Sequence, residues 1–214
     1  MKKIWIAVWW MVLVAFPAAA CEHTNDEKPV ILVVGDSLSS ALGLDLNQGW
    51  VALLEQRLAQ QSMDYRVMNA SISGDTTSGG LSRLKNALPE LNPTLVVIEL
   101  GGNDGLRGLS LKSMKQNLTD MIRLASEQGA HTALLGMRIP SNYGPRYTQR
   151  FHAIYAELAE EHDLPYVPFF MEGVALDQTL MQSDGIHPNA SAQPVLLDTA
   201  WPAIEQGLKE ACAR

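Results

Sequence analysis

A serine near the start of the chain and an aspartate and histidine near its end are of the types that carry out nucleophilic hydrolysis. Ser37 lies just after the apolar run 30–34, where a buried strand would give way to a turn. Asp184 and His187 share the segment 183–188, Ser-Asp-Gly-Ile-His-Pro. A serine hydroxyl becomes a strong nucleophile when an imidazole takes its proton, and a carboxylate orients that imidazole. We interpret the three as nucleophile, orienting acid and base of a hydrolase.

Two small, polar segments can supply donors for the negative charge that forms during acyl transfer. The segment 69–80 contains Gly74, whose backbone N–H can approach an anion, and 100–105 contains Asn103, whose side-chain amide can donate. Either segment alone is more often a glycine turn without a catalytic role. Their occurrence together with the serine and histidine favours an oxyanion hole.

These residues must be positioned by alternating strands and helices. Apolar runs predict five strands, at 30–34, 65–69, 95–100, 132–136 and 165–169. Amphipathic patterns predict helices at 47–61, 78–88, 111–127, 147–162 and 191–210. Continuous apolar strands joined by helices indicate an α/β fold, a three-layer sandwich with a central parallel sheet. The polar segments follow the first three strands, so they should converge at one edge of the sheet.

The start of the chain resembles an export signal. Lys2 and Lys3 precede the apolar stretch 4–16, and small residues follow at 18–20. We expect residues 1–20 to be a signal peptide and 21–214 to form a single domain, since 214 residues suffice for one sizeable core. An uncleaved membrane anchor is the alternative.

The charge of the chain argues against nucleic acid as a partner. The formal net charge is −7, and Lys and Arg do not cluster as they do in proteins that follow a phosphate backbone. The chain has two cysteines, Cys21 and Cys212. They can pair in an oxidising compartment, or Cys21 can carry a lipid, because Ala-Ala-Ala-Cys loosely resembles a bacterial lipobox. Both alternatives stay open.

Four blocks of sequence resemble the signature blocks of the SGNH (GDSL) hydrolase family. They are Gly-Asp-Ser-Leu at 35–38, Gly74, Gly-Gly-Asn-Asp at 101–104 and Asp-Gly-Ile-His at 184–187. The stretch 138–147 is similar to the bacterial thioesterase I/protease I/lysophospholipase L1 group within that family. The resemblance implies a flavodoxin-like sandwich and the triad assigned above. It also implies an oxyanion hole made by the N–H groups of Ser37 and Gly74 and the amide of Asn103.

The resemblance further implies a hydrolase of small-molecule acyl esters, aryl esters, lysophospholipids or acyl thioesters, with no cofactor and no metal. Segment 138–151 would be a mobile loop beside the acyl pocket, with substrate contacts from Arg138, Pro140, Tyr143, Gly144 and Tyr147. A monomer in the periplasm, with contact to a lipid surface, completes the expectation. In that compartment a lysophospholipid or an environmental ester is a more plausible substrate than acyl-CoA.

Three other interpretations compete with this one. An α/β-hydrolase would show G-x-S-x-G, and here the fifth position is Ser39. A carbohydrate acetylesterase of the same family would share all four blocks. A metal-dependent phosphoesterase could use oxygen and nitrogen ligands from Asp36, Asn103, Asp104, Asp184 and His187, although no dense ligand motif supports it. We interpret Asp36 and Asp104 as loop or cap residues without a catalytic role.

Overall fold

The structure is a computed structural model, and it describes residues 28–213. The predicted signal peptide, 1–20, and Cys21 lie outside the described residues. Neither the cleavage of the signal nor the fate of Cys21 is therefore tested, and both stay predictions.

Five parallel strands form the central sheet, and their order is β2-β1-β3-β4-β5. They are β1 (Val30–Gly35), β2 (Arg66–Asn69), β3 (Leu95–Glu99), β4 (His131–Leu135) and β5 (Tyr166–Val167). This is the flavodoxin-like order, which confirms the predicted fold class. The last strand has two residues where the sequence predicts five, because Pro165 and Pro168, which have no N–H to donate to a ladder, flank it.

Six α-helices connect and cover the strands. They are α1 (Trp50–Gln60), α2 (Thr77–Leu91), α3 (Gly102–Leu106), α4 (Leu111–Glu127), α5 (Pro145–His162) and α6 (Gln193–Cys212). Helices α1 and α6 pack on one face of the sheet, and α2, α4 and α5 pack on the other. Within residues 28–213, none of the helices has the length and apolarity needed to span a membrane.

The centre of the sheet forms the core. Every residue of β1 and β3 is buried, as expected for parallel strands covered by helices on both faces. Trp50, at the start of α1, is fully buried, and its ring meets that of Phe170 edge to face with centroids 5.4 Å apart. This core holds the carboxyl ends of β1 and β3 side by side.

The strand order places the polar segments in one crevice. Strands β1 and β3 are parallel neighbours, and the order of strand addition reverses there, since β2 lies on one side of β1 and β3 on the other; a ligand crevice is therefore expected beyond their carboxyl ends. Ser37 follows β1 and Asn103 follows β3, while Gly74 comes after β2 on the other side of β1. The fold therefore brings together residues that lie far apart in the sequence.

Candidate active site

Hydrogen bonds connect the three predicted triad residues. His187 Nε2 lies 3.0 Å from Ser37 Oγ, and His187 Nδ1 lies 2.7 Å from Asp184 Oδ2. The imidazole can therefore accept the serine proton on one nitrogen while the other nitrogen donates to the carboxylate. This is the geometry that nucleophilic catalysis by serine needs.

The loop that holds Asp184 and His187 is braced by its own backbone. Asp184 Oδ1 accepts hydrogen bonds from the N–H groups of Ile186, at 2.9 Å, and His187, at 3.0 Å. The His187 ring and these two N–H groups together hold the pKa of Asp184 well below its usual range. Asp184 is therefore ionised at neutral pH and ready to orient the ring.

The backbone N–H groups of Ser37 and Gly74 can donate hydrogen bonds to an oxyanion. Among the described residues, no acceptor pairs with the N–H of Ser37 or of Gly74. Gly74 has a φ of +78°, a conformation that favours glycine, and its carbonyl accepts a hydrogen bond of 2.8 Å from Arg107. The Gly74 N–H is therefore held in a fixed loop conformation and has no acceptor within the described residues.

Asn103, the third predicted donor, is oriented by Asp36. The Asn103 Nδ2 group donates to Asp36 Oδ2 at 2.9 Å, which leaves its second N–H for a ligand. Asp36 Oδ1 also accepts from the Leu38 N–H at 3.1 Å. Burial raises the pKa of Asp36 to about 6, against the lowering effect of these two hydrogen bonds. Asp36 braces the turn, as expected, and also orients Asn103, which the sequence did not indicate.

A second carboxyl group, Glu99, lies beneath the serine turn. It ends β3 and is completely buried, and its Oε2 accepts from Ser39 Oγ at 2.6 Å and from the Asp36 N–H at 3.4 Å. Trp50 Nε1 donates in turn to Ser39 Oγ at 3.2 Å. Burial raises the pKa of Glu99 well above its usual range, and the nearby Asp36 carboxylate raises it further. The raised pKa favours the protonated form of Glu99 beneath the turn.

Asp104 stabilises the start of α2 and does not point at the serine. Its Oδ2 accepts from the Thr77 N–H at 2.9 Å, and its Oδ1 accepts from Thr77 Oγ1 at 2.6 Å. Thr77 is the first residue of α2, whose N–H groups lack partners within the helix. The structural role expected for Asp104 agrees with these contacts.

The predicted substrate segment packs beside the loop that follows Asn103. Tyr143 and Tyr147 stack with ring centroids 6.5 Å apart. The Tyr143 hydroxyl donates to the Leu106 carbonyl at 2.8 Å. Residues from Pro145 onward are helical, so the helix begins two residues before the predicted 147, and much of the expected loop 138–151 belongs to α5.

An open pocket of about 410 Å³ lies on this segment. Of the predicted substrate residues, Tyr143, Gly144 and Tyr147 line it, whereas Arg138 and Pro140 do not. The Arg138 guanidinium lies 5.1 Å from the centre of the Phe169 ring instead. The triad residues are not part of this pocket, and the five predicted residues do not share one site, since three line the pocket and Arg138 lies against Phe169.

The candidate metal ligands either lie apart from one another or accept hydrogen bonds from neighbouring residues. Within residues 28–213, no three His, Cys, Asp or Glu side chains are grouped so that they could hold a metal ion. Asp36 and Asp104, two of the candidate ligands for a phosphoesterase, instead accept from Asn103 and Thr77. Both carboxylates are therefore engaged in hydrogen bonds within the fold.

The sequence did not indicate two residues of this network, Glu99 and Arg83. Glu99 ends an otherwise apolar strand, and an acid in that position signals a buried, paired carboxyl group. Arg83, on α2, donates from Nη2 to the Gly35 carbonyl at 3.3 Å. No local signal in the sequence could have indicated that contact.

Comparisons with known proteins agree with the geometry. Residues 33–193 match the GDSL-like lipase/acylhydrolase family. The chain is similar to the esterase TesA of Pseudomonas aeruginosa, with 56% identity over 82% of this chain and 87% of the relative. It is 43% identical to the thioesterase 1/protease 1/lysophospholipase L1 of Escherichia coli strain K12, over 91% of this chain and 88% of the relative.

A solved structure is similar as well. The psychrotrophic esterase EstA from Pseudoalteromonas sp., in a form inhibited by monoethylphosphonate, superposes with a TM-score of 0.80 at 42% identity. The match covers 85% of this chain and 100% of that one.

Proposed function

The chain belongs to the GDSL-like lipase/acylhydrolase family and is an ester or thioester hydrolase, and we propose that it acts through Ser37, His187 and Asp184. The observation that carries this assignment is the hydrogen-bonded chain from Ser37 Oγ through the imidazole to Asp184, with distances of 3.0 and 2.7 Å. Ser37 follows β1, whereas Asp184 and His187 lie on one loop after β5, and such a hydrogen-bonded chain is the arrangement that activates a serine.

In the proposed mechanism Ser37 Oγ attacks the acyl carbonyl while His187 Nε2 takes its proton. The tetrahedral intermediate carries a negative charge on the former carbonyl oxygen, which the N–H groups of Ser37 and Gly74 and the amide of Asn103 would stabilise. The imidazolium then protonates the leaving alcohol or thiol, and an acyl-serine remains. Water, deprotonated by the same imidazole, releases the acid and restores the serine.

We propose that the substrates are acyl esters with an apolar chain. Large apolar side chains are exposed on loops at the carboxyl edge of the sheet, among them Ile72, Leu106, Leu109 and Ile186. Relatives are named as an esterase, an arylesterase and a lysophospholipase. Such a surface suits an acyl chain better than a sugar, and its side chains discriminate weakly, since one methylene changes binding by about 1–3 kcal/mol.

Hydrolysis of a series of p-nitrophenyl esters, from acetyl to palmitoyl, tests the proposal. The wild type and Ser37→Ala are compared, each with and without EDTA. Activity that survives EDTA and disappears in the variant is expected. Activity that EDTA abolishes and the variant retains would instead favour the metal-dependent phosphoesterase. Faster release of acetate from acetylated xylan than of medium-chain acids would favour the carbohydrate acetylesterase.

We further propose that the chain is exported to the periplasm, on the evidence of Lys2, Lys3 and the apolar stretch that follows. Intact-mass measurement of protein purified from the cell envelope tests this. A chain that begins at Cys21 supports cleavage, and an added lipid mass on Cys21 would favour lipidation over pairing with Cys212. A chain that retains Met1 would contradict export by cleavage. With export established, loss of lysophospholipid turnover in cells lacking the enzyme would identify the substrate.

A further inference from the structure

Arg83 connects the two loops that carry the backbone donors of the oxyanion hole. Its Nη2 donates to the Gly35 carbonyl at 3.3 Å, two residues before Ser37. Its Nη1 lies 2.5 Å from Asp75 Oδ2, one residue after Gly74. A single planar guanidinium therefore contacts both loops. Arg83 itself belongs to α2, so the helix serves as the rigid support.

The ion pair lies in a confined setting. The side chains of Arg83 and Asp75 are 18% and 14% exposed. Asp75 Oδ1 accepts from the Thr76 N–H at 2.9 Å and lies 1.9 Å from the position that a Cβ on Gly79 would occupy. Only glycine at 79 leaves room for this carboxylate. The side chain of Asp75 is thus held against the first turn of α2, where Arg83 can reach it.

Other contacts join the same two loops on the other side of Gly74. The Ile72 N–H donates to the Gly35 carbonyl at 3.1 Å, and the Ser40 and Ser73 hydroxyl oxygens are 2.7 Å apart. Both contacts precede Gly74 in the chain. The ion pair of Arg83 and Asp75 holds the segment just after Gly74. The Gly74 N–H therefore lies between contacts at residues 72–73 and a contact at Asp75.

We propose that Arg83 is a positioning residue that sets the separation between the Ser37 and Gly74 N–H groups through its two contacts, with Gly35 and with Asp75. This inference rests on the proposed function, in which those N–H groups stabilise the oxyanion. The donors act on charge that develops only in the transition state, so their placement affects turnover more than substrate binding.

The arrangement of Arg83 favours a functional role over a purely structural one. Its Nε is buried and has no hydrogen-bond acceptor among the described residues. A buried donor without an acceptor destabilises the folded chain. Asp75 Oδ2 likewise has no hydrogen bond within the described residues, so Arg83 Nη1 contacts it as an ion pair. The guanidinium is thus oriented by the Gly35 carbonyl and by the charge of Asp75, at the expense of its third nitrogen.

Arg83→Ala and Arg83→Lys test the proposal, with Arg57→Ala as the matched control. Arg57 also forms a partly buried ion pair, 2.5 Å from Asp198, but it joins α1 to α6 away from the site. We expect Arg83→Ala to lower kcat about tenfold to a hundredfold, less than the roughly hundred- to thousandfold effect of deleting an oxyanion donor. KM should stay within about twofold of the wild type. Arg83→Lys should recover only part of the loss, because an ammonium cannot reproduce the two-pronged contact of a guanidinium.

Two further readouts separate positioning from a general structural effect. The pH midpoint of kcat/KM should be unchanged in Arg83→Ala, because Ser37, His187 and Asp184 keep their contacts. The rate at which a p-nitrophenyl alkylphosphonate modifies Ser37 should fall in parallel with kcat, because the tetrahedral adduct uses the same donors. Asp75→Asn, which keeps the shape but removes the charge pair, should lower kcat and the modification rate in the same way, and it replaces Arg83→Ala if that variant does not fold. Its pH midpoint is not compared, because the Asp75 carboxylate contributes to the raised pKa of Asp36.

Three outcomes would overturn the inference. They are a kcat for Arg83→Ala or Asp75→Asn no lower than that of Arg57→Ala, a loss that appears only in KM, and a shifted pH midpoint in Arg83→Ala. Ser37→Ala is assayed in parallel. If it abolishes turnover while the Arg83 variants match the control, only the role of Arg83 fails. If Ser37→Ala retains turnover, the proposed function itself is wrong.

Discussion

Asn103 donates a hydrogen bond of 2.9 Å to Asp36, so the residue beside the nucleophile orients an amide that follows a different strand. The two residues are 67 positions apart in the sequence, and the pairing of β1 with β3 brings them together. A primary amide rotates about its terminal torsion with little resistance. The Asp36 carboxylate restricts that rotation and directs the remaining N–H of Asn103.

Asp36→Asn is expected to lower kcat about tenfold to a hundredfold without a comparable change in KM. The carboxylate offers two acceptors, one for the Leu38 N–H and one for Asn103, whereas an asparagine offers a single oxygen. Its NH₂ group would face either the Leu38 N–H or the Asn103 amide. Steady-state kinetics on a p-nitrophenyl ester measure the effect. Asp120→Asn, on the surface of α4, is the control, and equal kcat values for the two variants would contradict the role of Asp36.

The acid limb of the pH profile should also report on Asp36. Because burial raises its pKa to about 6, the carboxylate gains a proton as the pH falls through that value, and its bond with Asn103 weakens. The imidazole must be neutral for catalysis as well. The wild type is therefore expected to lose kcat/KM more steeply below pH 6 than Asp36→Asn does. Identical slopes for the two proteins would exclude a contribution from Asp36.

Glu99→Gln is expected to change the pH dependence of stability. Because the pKa of Glu99 is raised in the folded chain, the unfolded chain releases this proton above about pH 4.3 while the folded chain retains it. The wild type thus loses stability as the pH rises, by at most about 1.4 kcal/mol per pH unit from this group. Glutamine has no ionisable proton, so the free energy of unfolding of Glu99→Gln should rise relative to that of the wild type from pH 5 to pH 7.

Urea unfolding of both proteins at several pH values measures this difference. Asp36 also titrates in a buried position, but it is present in both chains and its contribution cancels to first order. Glu90→Gln, on α2, is the control, and its plot of unfolding free energy against pH should run parallel to that of the wild type. A constant difference between wild type and Glu99→Gln across the range would mean that Glu99 is ionised in the folded chain.

The sheet and the chemistry of the site were accessible from the sequence for different reasons. Uninterrupted apolar runs such as that of β3 predict buried parallel strands, because only strands covered on both faces are apolar at every position. Ser37 was recognisable from its position after a predicted strand, and His187 from its spacing of three residues from Asp184 in one loop. Their mutual distance of 3.0 Å then depends on the fold.

The supporting network was not accessible in this way. Helix α3, which carries Asn103, has five residues, too few to show a helical period. The contacts of Asp36 with Asn103 and of Arg83 with Gly35 join segments 67 and 48 residues apart. Such pairs depend on strand order and on loop conformation, which local patterns do not encode. The substrate segment was predicted only by resemblance. That Tyr143, Gly144 and Tyr147 line the pocket while Arg138 lies against Phe169 depends on the fold, which local patterns do not show.

Ser37→Ala and His187→Ala should each lower turnover by several orders of magnitude, and Asp184→Ala should leave more residual activity. The serine and imidazole take part in bond making and proton transfer, whereas Asp184 orients the ring through one bond of 2.7 Å. Single-turnover assays with active-site titration separate true residual activity from contaminating wild type. Equal losses in all three variants would contradict the separate role of the acid.

Thr77→Val is expected to destabilise the fold by about 1.5–3 kcal/mol while kcat stays within a few fold of the wild type. Thr77 is fully buried, and its Oγ1 both donates to Asp104 at 2.6 Å and accepts from Asn117 at 3.0 Å. Valine fills the same space and leaves the buried Asp104 carboxylate without one donor. The loss is larger than for a neutral pair because the acceptor is charged.

Thermal or urea unfolding measures this loss, and Thr199→Val is the matched control. Thr199 Oγ1 donates only to the Val195 carbonyl one turn earlier in α6, a contact that contributes little to a helix. Its removal should change stability by less than about 1 kcal/mol. If both variants lose the same stability, Asp104 does not depend on Thr77. If Thr77→Val loses kcat as strongly as Asn103→Ala, then Asp104 acts on the neighbouring Asn103 as well as on α2.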